Sequence, residues 1–95
     1  MALNKGEDGM DILTIISKDE GLVTGVSTYQ GTDEQFDQII KANILKFHQN
    51  DEDLIELIQA TDDEMVESVY GDFIDEHELY LYEYLMFDRN QLIKL

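Results

Sequence analysis

The chain has 95 residues, 22 acids against six bases for a formal net charge of −16, and 43% hydrophobic residues that include four Phe and five Tyr. That length makes one domain with a modest core, and its apolar and aromatic content excludes the composition of an acidic disordered tail. The charge disfavours direct contact with nucleic acid or an anionic membrane, since the long-range field repels both, and it favours basic partners.

Residues 1–9, MALNKGEDG, carry two glycines and mixed charges. They offer nothing to bury, and a loose N-terminus is the expectation there. MDILTIIS (10–17) is short and rich in Ile and Leu, KDEG (18–21) is a turn candidate, and LVTGVSTYQ (22–30) is rich in β-branched residues. Together they predict a β-hairpin with a loop of about four residues. A helix over 10–19 is the competing reading, because periodicity alone does not separate the two for short apolar runs. Gly25, inside the second run, marks a bulge or a close backbone approach.

Thr32-Asp33-Glu34-Gln35 has capping-box spacing, with a hydroxyl at the N-cap and Gln at N3. Phe36, Ile39, Ile40, Ile44 and Phe47 then share one helical stripe. Asp33, Glu34 and Asp37 come early and Lys41 and Lys46 late, as the helix dipole favours. Asn50 is the expected N-cap of a second helix, with Asp51, Glu52 and Asp53 in its first turn. Leu54, Ile58, Met65 and Val69 share its core face, and Gly71 is expected to end it. Thr61-Asp62-Asp63-Glu64 repeats the capping-box spacing, so this region reads as one helix or as two short ones.

ELYLYEYLMF (78–87) contains no Gly or Pro and reads as a strand, with a helix as the alternative. DRNQ (88–91) is the expected turn and LIKL (92–95) a short final strand. The predicted class is α+β, a single domain over residues 1–95. Its antiparallel sheet is built from an N-terminal hairpin and a C-terminal strand or hairpin, and two or three helices cover one face.

Residues 50–78, NDEDLIELIQATDDEMVESVYGDFIDEHE, hold twelve carboxylates and no Lys or Arg. From Phe47 to Asp88 there are 14 acids, and all six basic residues lie elsewhere. Glu52, Glu56, Asp63 and Glu67 each precede a core position by two residues, about 200° of helical rotation. They are therefore expected on a solvent-facing ridge without internal partners, flanked by Asp53, Asp62 and Glu64. Neighbouring ridge acids at i,i+4 lie about 6 Å apart along the axis, a scale suited to occupying several Lys or Arg side chains of a phosphate-binding groove. Asp51, Asp72, Asp75 and Glu76 extend the candidate surface. A solvated helix face explains polar residues but not the missing Lys, since ordinary surface helices intersperse both signs. In a strand, Tyr80, Tyr82 and Tyr84 would project together and stack on Arg guanidinium groups. The alternative buries these rings under the helices, with Leu79, Leu81 and Leu85 outside.

No constellation for catalysis appears. Cysteine is absent, and Ser17, Ser27 and Ser68 lack a nucleophile-elbow setting. Gly21, Gly25 and Gly31 match neither a phosphate loop nor a dinucleotide fingerprint. Asp51-Glu52-Asp53 and Asp62-Asp63-Glu64 lack the alternating ligands of a calcium loop. His48 and His77 are far apart in sequence, so zinc would need an accident of folding. The expectation is no enzyme, no cofactor and no metal. The N-terminus does not resemble a signal peptide, and no apolar run reaches the roughly 18 residues of a membrane span, so a soluble cytoplasmic protein is expected.

Small size, acidity and a surface of one sign resemble, as a physical class, the phage-encoded DNA mimics that inhibit restriction or CRISPR enzymes. That resemblance implies a non-catalytic inhibitor acting in a host cytoplasm. Its partner would be a basic nucleic-acid-binding protein of the nuclease or CRISPR/restriction effector type. The other reading is an immunity- or adaptor-type protein that holds a basic toxin or enzyme through an acidic and tyrosine patch. A plain acidic subunit, or the acidic proteome of a salt-loving organism, accounts for charge alone. A homodimer is compatible with each.

Overall fold

In a computed structural model of the chain, residues 11–91 are described; the expectations for residues 1–9 and for a strand at 92–95 fall on residues outside that range. The order is β1 (Asp11–Asp19), β2 (Leu22–Gly31), α1 (Asp33–Phe47), α2 (Glu52–Gln59), a 3₁₀ turn (Asp63–Met65), α3 (Val66–His77), a second 3₁₀ turn (Leu79–Leu81) and β3 (Glu83–Gln91). The sheet is antiparallel with strand order β2-β1-β3, so the α+β architecture matches the sequence reading.

The hairpin is tighter than expected. Lys18 and Asp19 continue β1, pairing with Val23 and Leu22 on one side and with Tyr84 and Glu83 on the other. Only Glu20 and Gly21 remain as the loop, and both have positive φ (53° and 84°), as a two-residue turn of primed type requires. The Glu20 N–H donates to the Tyr82 carbonyl at 2.9 Å, which anchors the tip to the chain leading into β3. Of the two expectations placed on Gly25, the bulge is the one met, and the close contact there is with a side chain. The register slips beside it, at Ser17/Lys18, and a Cβ there would lie 2.9 Å from Ser17 Oγ.

Strand alternation decides which face is covered. Leu13 and Ile15 of β1 are buried, as is Leu85 of β3, opposite Ser17. From α1 come Phe36, Ile40 and Ile44, from α2 Leu54 and Ile58, and from α3 Val66, Tyr70, Phe73 and Ile74. Among the described residues no element covers the opposite sheet face, where Val26 and Met86 are exposed on either side of Ile16. The Thr32–Gln35 capping box forms as read, its side chain and backbone bonds at 3.2 and 2.9 Å.

Four local expectations are corrected. The N-cap of α2 is Asp51, one residue past Asn50, and its carboxylate accepts from the Leu54 N–H at 3.2 Å. Thr61 makes no capping box; its hydroxyl donates back to the Leu57 carbonyl at 2.7 Å, closing α2 instead. The break there resets the helical phase, so Val66 and Tyr70 turn inward while Met65 is exposed and Val69 only half-buried. Gly71 lies within α3 and exposed, and the helix ends at Glu78, which adopts a left-handed conformation (φ 54°).

Candidate functional site: an acidic track along the helices

The acids of α2 are placed first by helix physics. Asp51 caps, and Glu52 and Asp53 sit in the first turn, where the exposed N–H groups and the helix dipole stabilise negative charge. Glu56, two residues beyond buried Leu54, is exposed. At the start of α2, Asp51, Glu52 and Asp53 line a groove of about 560 Å³ together with Glu83 of β3. At its other end Asp62, Asp63 and Glu64 line a second groove of about 520 Å³ with Glu34 and Asp37 of α1. The eight residues of α2, about 12 Å of helix, run between the two grooves. Glu34, Asp37 and Glu83 were missed in the sequence because they reach the track only through the packing of α1 and β3.

The expectation that the ridge has no internal partners is wrong at two positions. Arg89 of β3 is paired with Leu13 across the ladder and so points to the helical side. Its guanidinium meets Asp37 at 2.7 Å, Glu67 at 3.0 Å and Asp33 at 3.1 Å, with its carbon 6.0 Å from the centre of the Phe36 ring. Burial disfavours the charged form of Arg89, yet the bonds to Asp37, Glu67 and Asp33 outweigh it and hold the group above its ordinary pKa. Glu67 is therefore drawn off the ridge and half-buried. Lys41 crosses the second groove, donating to the Thr61 carbonyl at 2.8 Å and bridging Asp63 at 3.3 Å. Among the described residues, Asp63 and Glu67 are the only two of the fourteen acids between Phe47 and Asp88 that meet a Lys or Arg. Asp72, Asp75 and Glu76 are exposed on the outer side of α3.

The tyrosine row does not form. Leu79–Leu81 is a 3₁₀ turn, closed by Leu81 N–H to Glu78 O at 3.0 Å and Tyr82 N–H to Leu79 O at 2.8 Å. A spiralling backbone loses the two-residue alternation of a strand. Tyr80 and Tyr82 are 46% and 62% exposed, and Tyr84 packs half-buried against the core. Leu85 is buried and Leu81 exposed, so the alternative with all three leucines outside fails as well. DRNQ is not a turn: β3 runs through Gln91, and its alternation Leu85, Phe87, Arg89 was the signal that could have located the arginine.

Tyr70 and His48 form a polar knot beside the first groove. The buried Tyr70 hydroxyl accepts from the Leu85 N–H at 2.9 Å and lies 2.7 Å from His48 Nε2. A neutral imidazole protonated on Nδ1 would let the hydroxyl donate to Nε2 while its oxygen accepts from Leu85. Burial lowers the His48 pKa against the opposing pull of Asp51, which favours that neutral form. Burial also holds the Tyr70 phenol well above its ordinary range.

No protein-family model, curated protein or solved structure matches this chain. The function must therefore be argued from the track itself. Among the described residues no group of three or more His, Asp and Glu side chains is arranged to hold a metal ion, and no helix is long and apolar enough to cross a membrane. The track presents carboxylates in two concave clusters, each able to accept hydrogen bonds from several Lys or Arg side chains.

Proposed function

We propose that this chain is a non-catalytic inhibitor that occupies the phosphate-binding surface of a basic, nucleic-acid-binding protein of the kind found in restriction or CRISPR systems. The observation that carries the reading is the pair of carboxylate clusters at the two ends of α2, of whose acids, among the described residues, Asp37 and Asp63 alone meet a Lys or Arg. Two separated carboxylate clusters on one side of a small domain suit a basic surface that contacts several phosphates at once. Association driven by such a surface is fast and falls steeply with salt.

The test has two stages. Immobilised protein captures partners from a bacterial lysate at low salt and releases them at high salt. The captured protein is then offered its nucleic acid with and without this chain. Mimicry requires that nucleic acid and this chain exclude each other, and that Glu52→Gln, Asp53→Asn, Glu56→Gln, Asp62→Asn and Glu64→Gln together abolish the competition. A partner that binds both at once refutes it.

One feature favours the immunity- or adaptor-type alternative. Tyr80, Leu81 and Tyr82 are exposed between the acids Glu78 and Glu83, an arrangement suited to anchoring rather than to copying phosphates. Binding that survives the five neutralisations and is lost with Tyr82→Ala selects that alternative.

A further inference from the structure

Among the described residues the sheet has two edges, β2 and β3, and they differ in chemistry. Edge strand β3 carries Glu83, Asp88 and Arg89. Edge strand β2 lies in GLVTGVSTYQGT (21–32), a run without Asp, Glu, Lys or Arg in a chain of formal charge −16. Natural sheets blunt long edges with charges, Pro or bulges, because the unpaired N–H and C=O groups template another strand. The one such device on β2 is the bulge beside Gly25, near the hairpin tip. Beyond it the ladder is regular from Ser17↔Gly25 to Asp11↔Gly31.

The helices also leave β2 uncovered. Ser27 projects to the helical side, opposite buried Ile15, yet is itself exposed, and Tyr29 on the same side is half-exposed. On the outer side Val26 is 61% exposed and Thr28 is exposed beside it. Seven regular residues therefore offer an outward-facing backbone and both sets of side chains.

We propose that the chain forms a two-fold homodimer in which Gly25–Gly31 of β2 pairs antiparallel with the same segment of a second copy, giving one continuous sheet β3-β1-β2-β2-β1-β3. Charge selects this occupant. Two chains of charge −16 repel, so self-association must use surface that carries no like charge, and a basic partner finds no counter-charge on β2. Joining β3 to β3 would bring charged strands together, while β2 to β3 is a head-to-tail contact that does not close and builds filaments. Only β2 to β2 is both closed and free of charge.

Symmetry sets the register. A two-fold axis normal to an antiparallel pair passes through a residue facing its own copy, and the centre of Gly25–Gly31 is Thr28. Thr28 then faces Thr28, a favourable cross-strand pair, and Ser27 of one copy lies beside the Tyr29 ring of the other, covering what the helices leave open.

Sedimentation velocity from about 1 to 500 µM in roughly 0.5 M NaCl, where the Debye length is only a few ångströms, is expected to show a monomer–dimer equilibrium that tightens with salt. Thr28→Glu places two glutamates side by side at the axis, their Cα atoms about 5 Å apart, and is expected to weaken the dimer at least tenfold. Thr28→Lys does the same, and mixing the two variants restores association. Met86→Glu, on the outer sheet face, leaves it unchanged, which separates edge pairing from face-to-face stacking. In the unmodified protein, alternate amides of Gly25–Gly31 gain exchange protection only at high concentration. A monomer throughout that range, or a dimer indifferent to Thr28→Glu, overturns the proposal.

Discussion

Arg89→Met is expected to destabilise the fold by about 2–4 kcal/mol, because the guanidinium is the one cation that three carboxylates share. The Asp37 contact dominates. At 2.7 Å, with the two side chains 19% and 26% exposed, a charge-assisted bond of this kind contributes roughly 1.5–3 kcal/mol. Glu67 is 40% exposed, so solvent screening holds its share to about 0.5–1 kcal/mol, and Asp33 at 72% exposed adds little. Met keeps most of the aliphatic stem against Phe36, so the loss reports charge rather than packing. For a domain of this size about 4–8 °C accompanies each kcal/mol, giving a fall in Tm of roughly 8–32 °C. Urea and thermal unfolding followed by circular dichroism measure it. High salt should recover part of the loss by screening the three acids left facing one another. Lys41→Met, which loses the bridge to half-exposed Asp63 and the bond to the Thr61 carbonyl, serves as the reference at about 1–2 kcal/mol. If Arg89→Met costs no more than Lys41→Met, Arg89 is not the clamp between sheet and helices.

Tyr70→Phe leaves the Leu85 N–H without a partner inside the core and removes the bond to His48, and it should cost about 1–3 kcal/mol in urea unfolding. The lowered His48 pKa means the folded state holds fewer protons than the unfolded state. Stability is complete above the unfolded value near 6.5 and falls as pH drops below it. Unfolding midpoints between about pH 7.5 and 5.5, a range above ordinary carboxylate pKa values, should show that decline in the unmodified protein and a flatter profile in His48→Gln; identical slopes would rule it out. Glu56→Gln combined with Glu64→Gln relieves like-charge repulsion without breaking a bridge. The pair should raise Tm by a few degrees at low salt, a gain that disappears at high salt.

What could be read from the sequence was what short stretches of chain settle for themselves. The Thr32–Gln35 box, the Phe36–Ile40–Ile44 stripe, the hairpin and the acidic start of α2 all depend on groups within about four residues or on simple alternation. The abundance of carboxylates and the scarcity of bases were equally plain in composition.

Tertiary structure decided where that charge is spent. The break at Thr61, whose carbonyl accepts from Lys41 twenty residues earlier, re-aims α3 so that Glu67 leaves the ridge while Val66 and Tyr70 enter the core. Arg89 reaches Asp33 and Asp37 across more than fifty residues because β3 pairs with β1 beneath α1. The tyrosines of 80–84 separate because the strand begins only at Glu83, after the turn that holds the hairpin tip at Tyr82. Each of these outcomes compares a local preference of tenths of a kcal/mol with a buried contact of one or more, and a contact between distant residues leaves no pattern in the local sequence.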